Sequence, residues 1–437
     1  MPDYYTISPR RAALFAAAAL LLAAAILIAN SARAAEAADP PSAATASDSD
    51  RIANLEGKVE GLTEDSAATK AATDAMAKLK FSGYVQGRYE WHQDSKDGLD
   101  ATGKPADTTG FLVRRGRLKA VYSGSMSEFV LQIDATGKGV VLRDAEASLV
   151  EAWTPLGLKL TLGQFKVPFG YEIVQSSGDR EMPERSRVFR ALFPGERDRG
   201  LRLTGKWEAL RLAFAVVNGN GIEDAIYTAN DQNSYKDLVG RNGADLKFDA
   251  LSVVFGVSAY KGRGLKTTLA TAAKVSGKDA NADGKIVGDE ITFTPGTAAS
   301  WERYDRMRMG ADVQLYIDVP YLGGLALKGE AVSSTDTYLA TGDTAADATK
   351  DVSGMGYTAL AVQNLGAKLQ AVLRMDHWDP NTAKDNDAVT TLGGGLVVRP
   401  SGTVKVALIY EHPKQEVAAG LAVPTIDIFT AQVQGSF

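Results

Sequence analysis

The chain has 437 residues, 45% of them apolar, with 43 glycines, no cysteine and a formal net charge of −5. The missing cysteines exclude disulfides, thiol chemistry and Cys-based metal sites, and the acidic balance argues against nucleic acid as a partner. Abundant glycine with ordinary apolar content suits many short strands and turns better than a helical bundle.

Arg10 and Arg11 precede an unbroken apolar run from Ala12 to Ala29, followed by Ala32-Arg33-Ala34. A basic flank, an apolar stretch and a small-residue cleavage pattern predict a secretory signal over residues 1–34, although the run is also long enough to act as a membrane anchor. Cleavage would remove Arg10, Arg11, Arg33 and Asp3 and take the net charge to −7. No later stretch approaches 18 apolar residues, so a mature chain that crosses a membrane must do so as a closed barrel. Residues 35–50, rich in Ala, Ser, Asp and Pro, read as a flexible linker. Ile52, Leu55, Val59 and Leu62 then alternate spacings of three and four, continued by Ser66, Thr69, Thr73 and Met76. Over 51–79 this predicts a periplasmic coiled-coil helix that needs partner copies to be stable, or else a single frayed helix or a disordered tether.

From Phe81 the period changes to two. Phe81, Gly83, Val85, Gly87, Tyr89 and Trp91 share one face, with Ser82, Tyr84, Gln86, Arg88, Glu90 and His92 on the other. Such alternation marks a strand with one apolar and one wet side. Its recurrence predicts strands near 81–92, 111–123, 126–136, 140–152, 157–166, 199–208, 210–218, 240–250, 251–262, 300–318, 324–335, 354–363, 366–378, 388–399, 402–412 and 425–437. Long and short connections alternate between them, the signature of an outer-membrane barrel with short periplasmic turns and long external loops. A soluble β-sandwich also has alternating strands, but its connections need not alternate in length. The expected fold is therefore all-β: a 16-stranded antiparallel transmembrane barrel over 80–437 behind the short periplasmic helix, in contact with outer-membrane lipid.

Two stretches carry the candidate chemistry. The second strand places Arg115, Arg117 and Lys119 on one face; three successive cations facing lipid are costly, so they should line the lumen as a basic ladder, or neutralise acids such as Asp144 and Glu146 across the wall. Residues 167–198 have no clean period and are expected to fold inward as a constriction loop. Its basic candidates are Arg180, Arg185, Arg187, Arg190 and Arg197, with Arg185 and Arg187 placed mid-loop. Against them stand Glu172, Asp179, Glu181, Glu184, Glu196 and Asp198, so the loop is near neutral and part of its arginines should be salt-bridged to the wall. Arginine suits anion passage because its planar fork matches tetrahedral oxyanions.

In the external loop 263–299, Asp279, Asn281, Asp283, Lys285 and Glu290 fit a twelve-residue calcium-loop pattern, with Gly284 at the sharp turn and Lys285 offering its carbonyl. The flanks look like loop and strand rather than helices, which leaves an acidic surface turn as the other reading; Ca²⁺ would be structural. His92, His377 and His412 are scattered near strand ends, no nucleophile has a positioned base, and an enzyme is not expected.

The block from Leu142 to Gly170, with Gly163-Gln164-Phe165-Lys166 and Pro168-Phe169-Gly170 at its centre, then Glu184-Arg185-Ser186 and Asp198-Arg199-Gly200-Leu201, resembles the phosphate-selective porin O and P family over roughly Phe81 to Phe437. The resemblance implies a trimer of sixteen-stranded barrels, the third external loop folded inward, and basic side chains conducting small anions, phosphate or polyphosphate first. The acids of the constriction loop keep a general or cation-preferring porin open as an alternative. So does a structural tether that touches the cell wall through the coiled coil, which deletion of residues 35–78 would expose by loss of envelope attachment without loss of conductance.

Overall fold

The structure, a computed structural model, describes residues 48–98, 106–137, 139–222, 233–268, 272–277, 291–298, 300–339, 351–418 and 426–437. The predicted signal and nearly all of the predicted linker lie outside them. The chain divides into two units, Met1–Ala77 and Lys78–Phe437. The described part of the first is one helix, Asp48–Ala77. Val59, Leu62, Ser66, Thr69, Thr73 and Met76, the seam positions whose side chains are described, are exposed.

The second unit is a closed barrel of sixteen strands, each antiparallel to its neighbours. In chain order the strands are β1 (Leu79–His92), β2 (Gly110–Ser123), β3 (Ser127–Thr136), β4 (Gly139–Val150), β5 (Lys159–Lys166), β6 (Arg197–Trp207), β7 (Leu210–Val217), β8 (Asp237–Lys247) and β9 (Leu251–Thr268). A separate hairpin, β10 (Lys274–Gly277) and β11 (Ile291–Thr294), stands in the connection to β12 (Ser300–Val319). The wall continues with β13 (Gly323–Tyr338), β14 (Val352–Leu365), β15 (Leu369–Asp379), β16 (Val389–Val398), β17 (Val404–Gln415) and β18 (Ile428–Ser436). β1 pairs with both β2 and β18, which leaves no edge. The seam is finished by reciprocal backbone bonds between Gly83 and Phe437, and the Phe437 ring lies where a Gly83 side chain would be.

All sixteen predicted strands are present, with ends displaced by a few residues. The larger departures are in the connections. β9 runs to Thr268, well into the predicted external loop, because Leu251–Thr268 stays paired with β12 throughout. The β10–β11 hairpin was not foreseen, its strands being four residues each. The constriction loop ends at Glu196, since Arg197 and Asp198 pair with Lys166 and Phe165. It also contains two short helices, Tyr171–Val174 and Arg187–Leu192, too brief to show a period.

Outward positions such as Val85, Leu131, Phe214, Val257 and Leu373 are exposed and apolar, while inward positions such as Gln86, Asp134, Gln314 and Gln434 are buried and polar. An apolar exterior on a polar interior inverts the usual distribution and fits a wall standing in hydrocarbon. Exposed Phe81, Phe129, Trp153, Trp207, Phe248 and Phe437 collect at the end of the barrel that carries the short turns, as an interfacial aromatic girdle does. The apolar core lies inside, between the wall and the loop that joins β5 to β6. Phe169, Ile173, Val188, Phe189 and Phe193 of the loop pack with Ala215 and Val217 of β7, Val239 of β8, Tyr260 of β9 and Val332 of β13. On another arc of the wall, loop residue Met182 packs with Val362, Val372, Val397 and Ile409.

Candidate functional site

The loop between β5 and β6 spans the lumen and is fastened around its perimeter. At its start, the Gly170 N–H donates to Ser258 Oγ (2.9 Å), and the N–H groups of Tyr171 and Glu172 donate to the two oxygens of Glu330 (2.9 Å each). Gly170 has φ 60°, and a side chain there would run into the Glu330 carboxylate. Only glycine can enter the loop at this point without strain. Farther along, Tyr84 Oη and Ser177 Oγ are 2.5 Å apart, Lys328 pairs with Glu181 (2.7 Å), and Lys405 donates to the carbonyls of Gly178 (2.6 Å) and Arg180 (3.0 Å).

The basic ladder of β2 faces the lumen. A β-bulge makes it denser than the sequence pattern implies: Gln86 pairs with Arg115 and Gly87 with Val113, leaving Arg114 as the extra residue. Arg114 Nε, Arg115 Nη2 and Arg88 Nη2 all reach the Glu184 carboxylate, at 2.7, 3.1 and 2.9 Å. One loop carboxylate thus sits in three wall guanidiniums, and the knot carries surplus positive charge. Burial opposes ionisation of Glu184, but Arg115, Arg114, Arg180 and Arg88 outweigh it and hold the carboxyl well below its usual range. Arg117 is divided between Asp134 (2.7 Å) and Ser177 Oγ (2.7 Å). Lys119 lines the cavity below the loop.

The five loop candidates separate by what holds them. Arg185 is used up as a staple: it donates to the carbonyls of Glu172 (2.6 Å) and Ile173 (3.2 Å) and pairs with Glu196. Arg187 Nε donates to Thr391 Oγ1 on β16 (3.1 Å). Arg190 is exposed at the end of its short helix. Arg197 opens β6 and is consumed by Asp144 (2.6 Å) and Glu196 (2.7 Å). Arg180 differs from all of these. It is buried, and none of its three guanidinium nitrogens has a hydrogen-bond partner among the described residues. Burial, together with Arg185 and Arg115, pushes its pKa down to about 9, which still leaves it charged at neutral pH.

Between the loop and the turn end of the wall lies a cavity of about 980 Å³. Nine Lys and Arg side chains line it against four Asp and Glu, and Arg117, Arg197, Arg211 and Arg241 are also paired with Asp134, Glu196, Asp245 and Asp312 outside the lining. Lys166, one of the nine, donates to the carbonyls of Val174 (3.1 Å) and Gln175 (2.7 Å).

The sequence reading passed over Arg88, Arg114, Lys166 and Lys405. The adjacent pair Arg114-Arg115 is a signal that could have been used, since two neighbouring cations in an alternating strand require a bulge. Asp279, Asn281, Asp283, Lys285 and Glu290 lie outside the described residues. β10 and β11 flank that segment as paired strands, in place of the helices that bracket such a loop in an EF-hand.

The sequence profile described as phosphate-selective porin O and P matches residues 84–387. Among solved structures, the fold is similar to an anion-selective porin from Comamonas acidovorans (TM-score 0.52, 13% identity, covering 82% of this chain and 99% of that one). It is also similar to a loop L8 deletion mutant of OmpT from Vibrio cholerae (TM-score 0.51, 10% identity, covering 82% and 99%). No curated protein sequence matches the chain. The family and the fold are those of channel proteins, and they point to the bacterial outer membrane. With the family's profile covering most of a closed barrel in which the loop joining β5 to β6 crosses the lumen, the chain belongs to the phosphate-selective porin O and P family.

Proposed function

We propose that the barrel is a passive diffusion channel for small anions, phosphate or polyphosphate first, with its short turns and N-terminal helix on the periplasmic side and three copies forming the working unit. The observation that carries this reading is Arg180, a buried guanidinium on the loop with no hydrogen-bond acceptor among the described residues. A buried charge is costly unless hydrogen-bonded, and an oxyanion that reaches the guanidinium as the loop shifts supplies what the protein does not. Lys119 and Lys206, which line the cavity below the loop, extend the same preference toward the turn end. Release then requires that no single site hold the ion too tightly.

The test is the zero-current reversal potential of the purified protein in a planar bilayer under a salt gradient, repeated with phosphate. An anion-selective sign with chloride current blocked by phosphate is expected. A cation-selective sign would reject the proposal and favour a general or cation-preferring porin.

The pH response follows from the loop carboxylates. Burial opposes ionisation of Glu196, but Arg185, Arg197, Arg180 and Lys166 outweigh it and bring its pKa down to about 2. Glu184 is depressed in the same direction. A carboxylate depressed in the folded state contributes stability that is fully present above its unfolded pKa of about 4.3 and is lost as pH falls toward the folded value. The loosening that Glu184 and Glu196 carry should therefore begin only below about pH 4.5 and continue to about pH 2. Single-channel recordings across that range check it, and an onset near neutrality would show that these ion pairs do not hold the loop.

A further inference from the structure

The loop is not held in the same way along its length. Ile173 belongs to the apolar cluster on β7, β8, β9 and β13, and Met182 to the cluster on the other arc of the wall. Residues 175–181, between these two anchors, belong to neither cluster and form no helix or strand. Their centre is a tight turn in which the Asp179 N–H donates to the Ser176 carbonyl (3.1 Å). Besides the Tyr84 and Arg117 contacts to Ser177 Oγ, the wall holds this turn by its backbone carbonyls. Gln86 of β1 donates to Ser177 (3.3 Å), Gln434 of β18 to Gly178 (3.1 Å), and Lys405 of β17 to both Gly178 (2.6 Å) and Arg180 (3.0 Å). Hydrogen bonds exchange with water at a small net cost, whereas withdrawing Ile173 or Met182 from its cluster exposes apolar surface. The turn is thus the part of the loop that can leave the wall while both anchors stay.

Its place gives that freedom a use. Ser176, Gly178 and Asp179 line the cavity below the loop, while Arg180, the next residue, is buried with its guanidinium closed off. Lys405 bonds the carbonyls on either side of Asp179, so one ammonium fixes the cavity-facing turn and the backbone of Arg180 together.

We infer that the turn 176–180 is the gate of the anion path and that Lys405 is its latch: Lys405 keeps the turn on the wall and Arg180 covered, and release of the turn opens the guanidinium to the cavity. The inference rests on the reading of Arg180 as the anion's partner. It gives Lys405 an effect opposite to its charge, because a lysine that attracted anions would speed their arrival, whereas a latch delays it. Phosphate binds the fraction of channels whose turn is open, so a change that enlarges this fraction raises the association rate and leaves dissociation from the open, occupied state alone.

The test is single-channel recording of the full chain in chloride with graded inorganic phosphate, taking the association rate from the frequency of blocks and the dissociation rate from their duration. Lys405→Met should associate about tenfold faster with block duration unchanged, although a positive charge has been removed. Gln434→Ala, which takes one neutral donor from Gly178, should move the same way by about threefold. Combined with Arg180→Met, Lys405→Met should bring no acceleration, an outcome that a merely loosened loop would not give. Circular dichroism in detergent reports whether each variant forms the barrel. A rate at the wild-type level in Lys405→Met overturns the gate, and a slower one makes the lysine an attracting charge instead. If Lys405→Met does not fold, Gln434→Ala decides alone, and an unchanged rate there overturns the gate. Loss of block in Arg180→Met beside wild-type rates in both latch variants sinks the gate and spares the Arg180 reading; unchanged block in Arg180→Met sinks both.

Discussion

Arg180→Met should abolish most of the phosphate block of chloride current while raising the thermal stability of the protein. The two effects have one cause. In the resting protein the guanidinium is buried without a hydrogen-bond partner among the described residues; Glu184 and Glu196 attract it, but burial, Arg185 and Arg115 outweigh them, so the fold bears its desolvation with only partial return. A methionine of similar length removes that burden, and replacing buried charge by well-packed apolar groups commonly stabilises by about 1 kcal/mol or more. When phosphate arrives, the same guanidinium forms charge-assisted hydrogen bonds worth about 1.5–3 kcal/mol each. Their loss should weaken phosphate block by about tenfold to a hundredfold. The checks are blocking titrations in planar bilayers and a melting curve in detergent. Unchanged block would remove Arg180 from the permeation path, whatever the melting curve showed.

Releasing the loop should have the opposite effect on conductance. Glu330→Ala strips the acceptor from two part-buried N–H groups, those of Tyr171 and Glu172, and each orphaned donor costs up to about 1–3 kcal/mol. Phe189→Ala empties a fully buried site in the cluster that fixes the loop to β7, β8, β9 and β13, and a truncation of that kind costs about 3–5 kcal/mol. Together they exceed what two short helices and a few ion pairs can hold. The double variant should therefore conduct more, with added noise and reduced anion selectivity, while circular dichroism still shows the sixteen-stranded wall. Conductance at the wild-type level would mean that the ion pairs of Glu184, Glu181 and Glu196 hold the loop unaided.

The wall was readable because its rule is local. A period of two assigns each residue to lipid or lumen without knowledge of its neighbours, and every predicted strand is there. The loop obeys no such rule. Phe169, Ile173, Val188, Phe189 and Phe193 are visible in the sequence, but each meets a wall strand far away in the chain, so their spacing carries no period. Charge was equally opaque. Counting acids and bases made the loop near neutral, and mid-loop position favoured Arg185 and Arg187. The wall decides otherwise, because Glu184 is claimed by Arg88, Arg114 and Arg115, whereas Arg185 spends its donors on the loop's own backbone and Glu196. Arg180 stands out only when every possible acceptor around it is known.

The join between β1 and β18 has a consequence for how the molecule is made. Gln86 and Gln434 meet across it from 348 positions apart, so the contact that removes the last open edges belongs to the slowest class, in which chain entropy is spent long before pairing repays it. Until that moment the sheet presents two unsatisfied rows of N–H and C=O groups and an apolar outer face, the combination that drives strands of different molecules to pair. Biogenesis therefore has to keep the two strand edges apart from other chains until they meet each other, and the seam works as a latch: open, the chain is an aggregation hazard; shut, it has no edge left to offer.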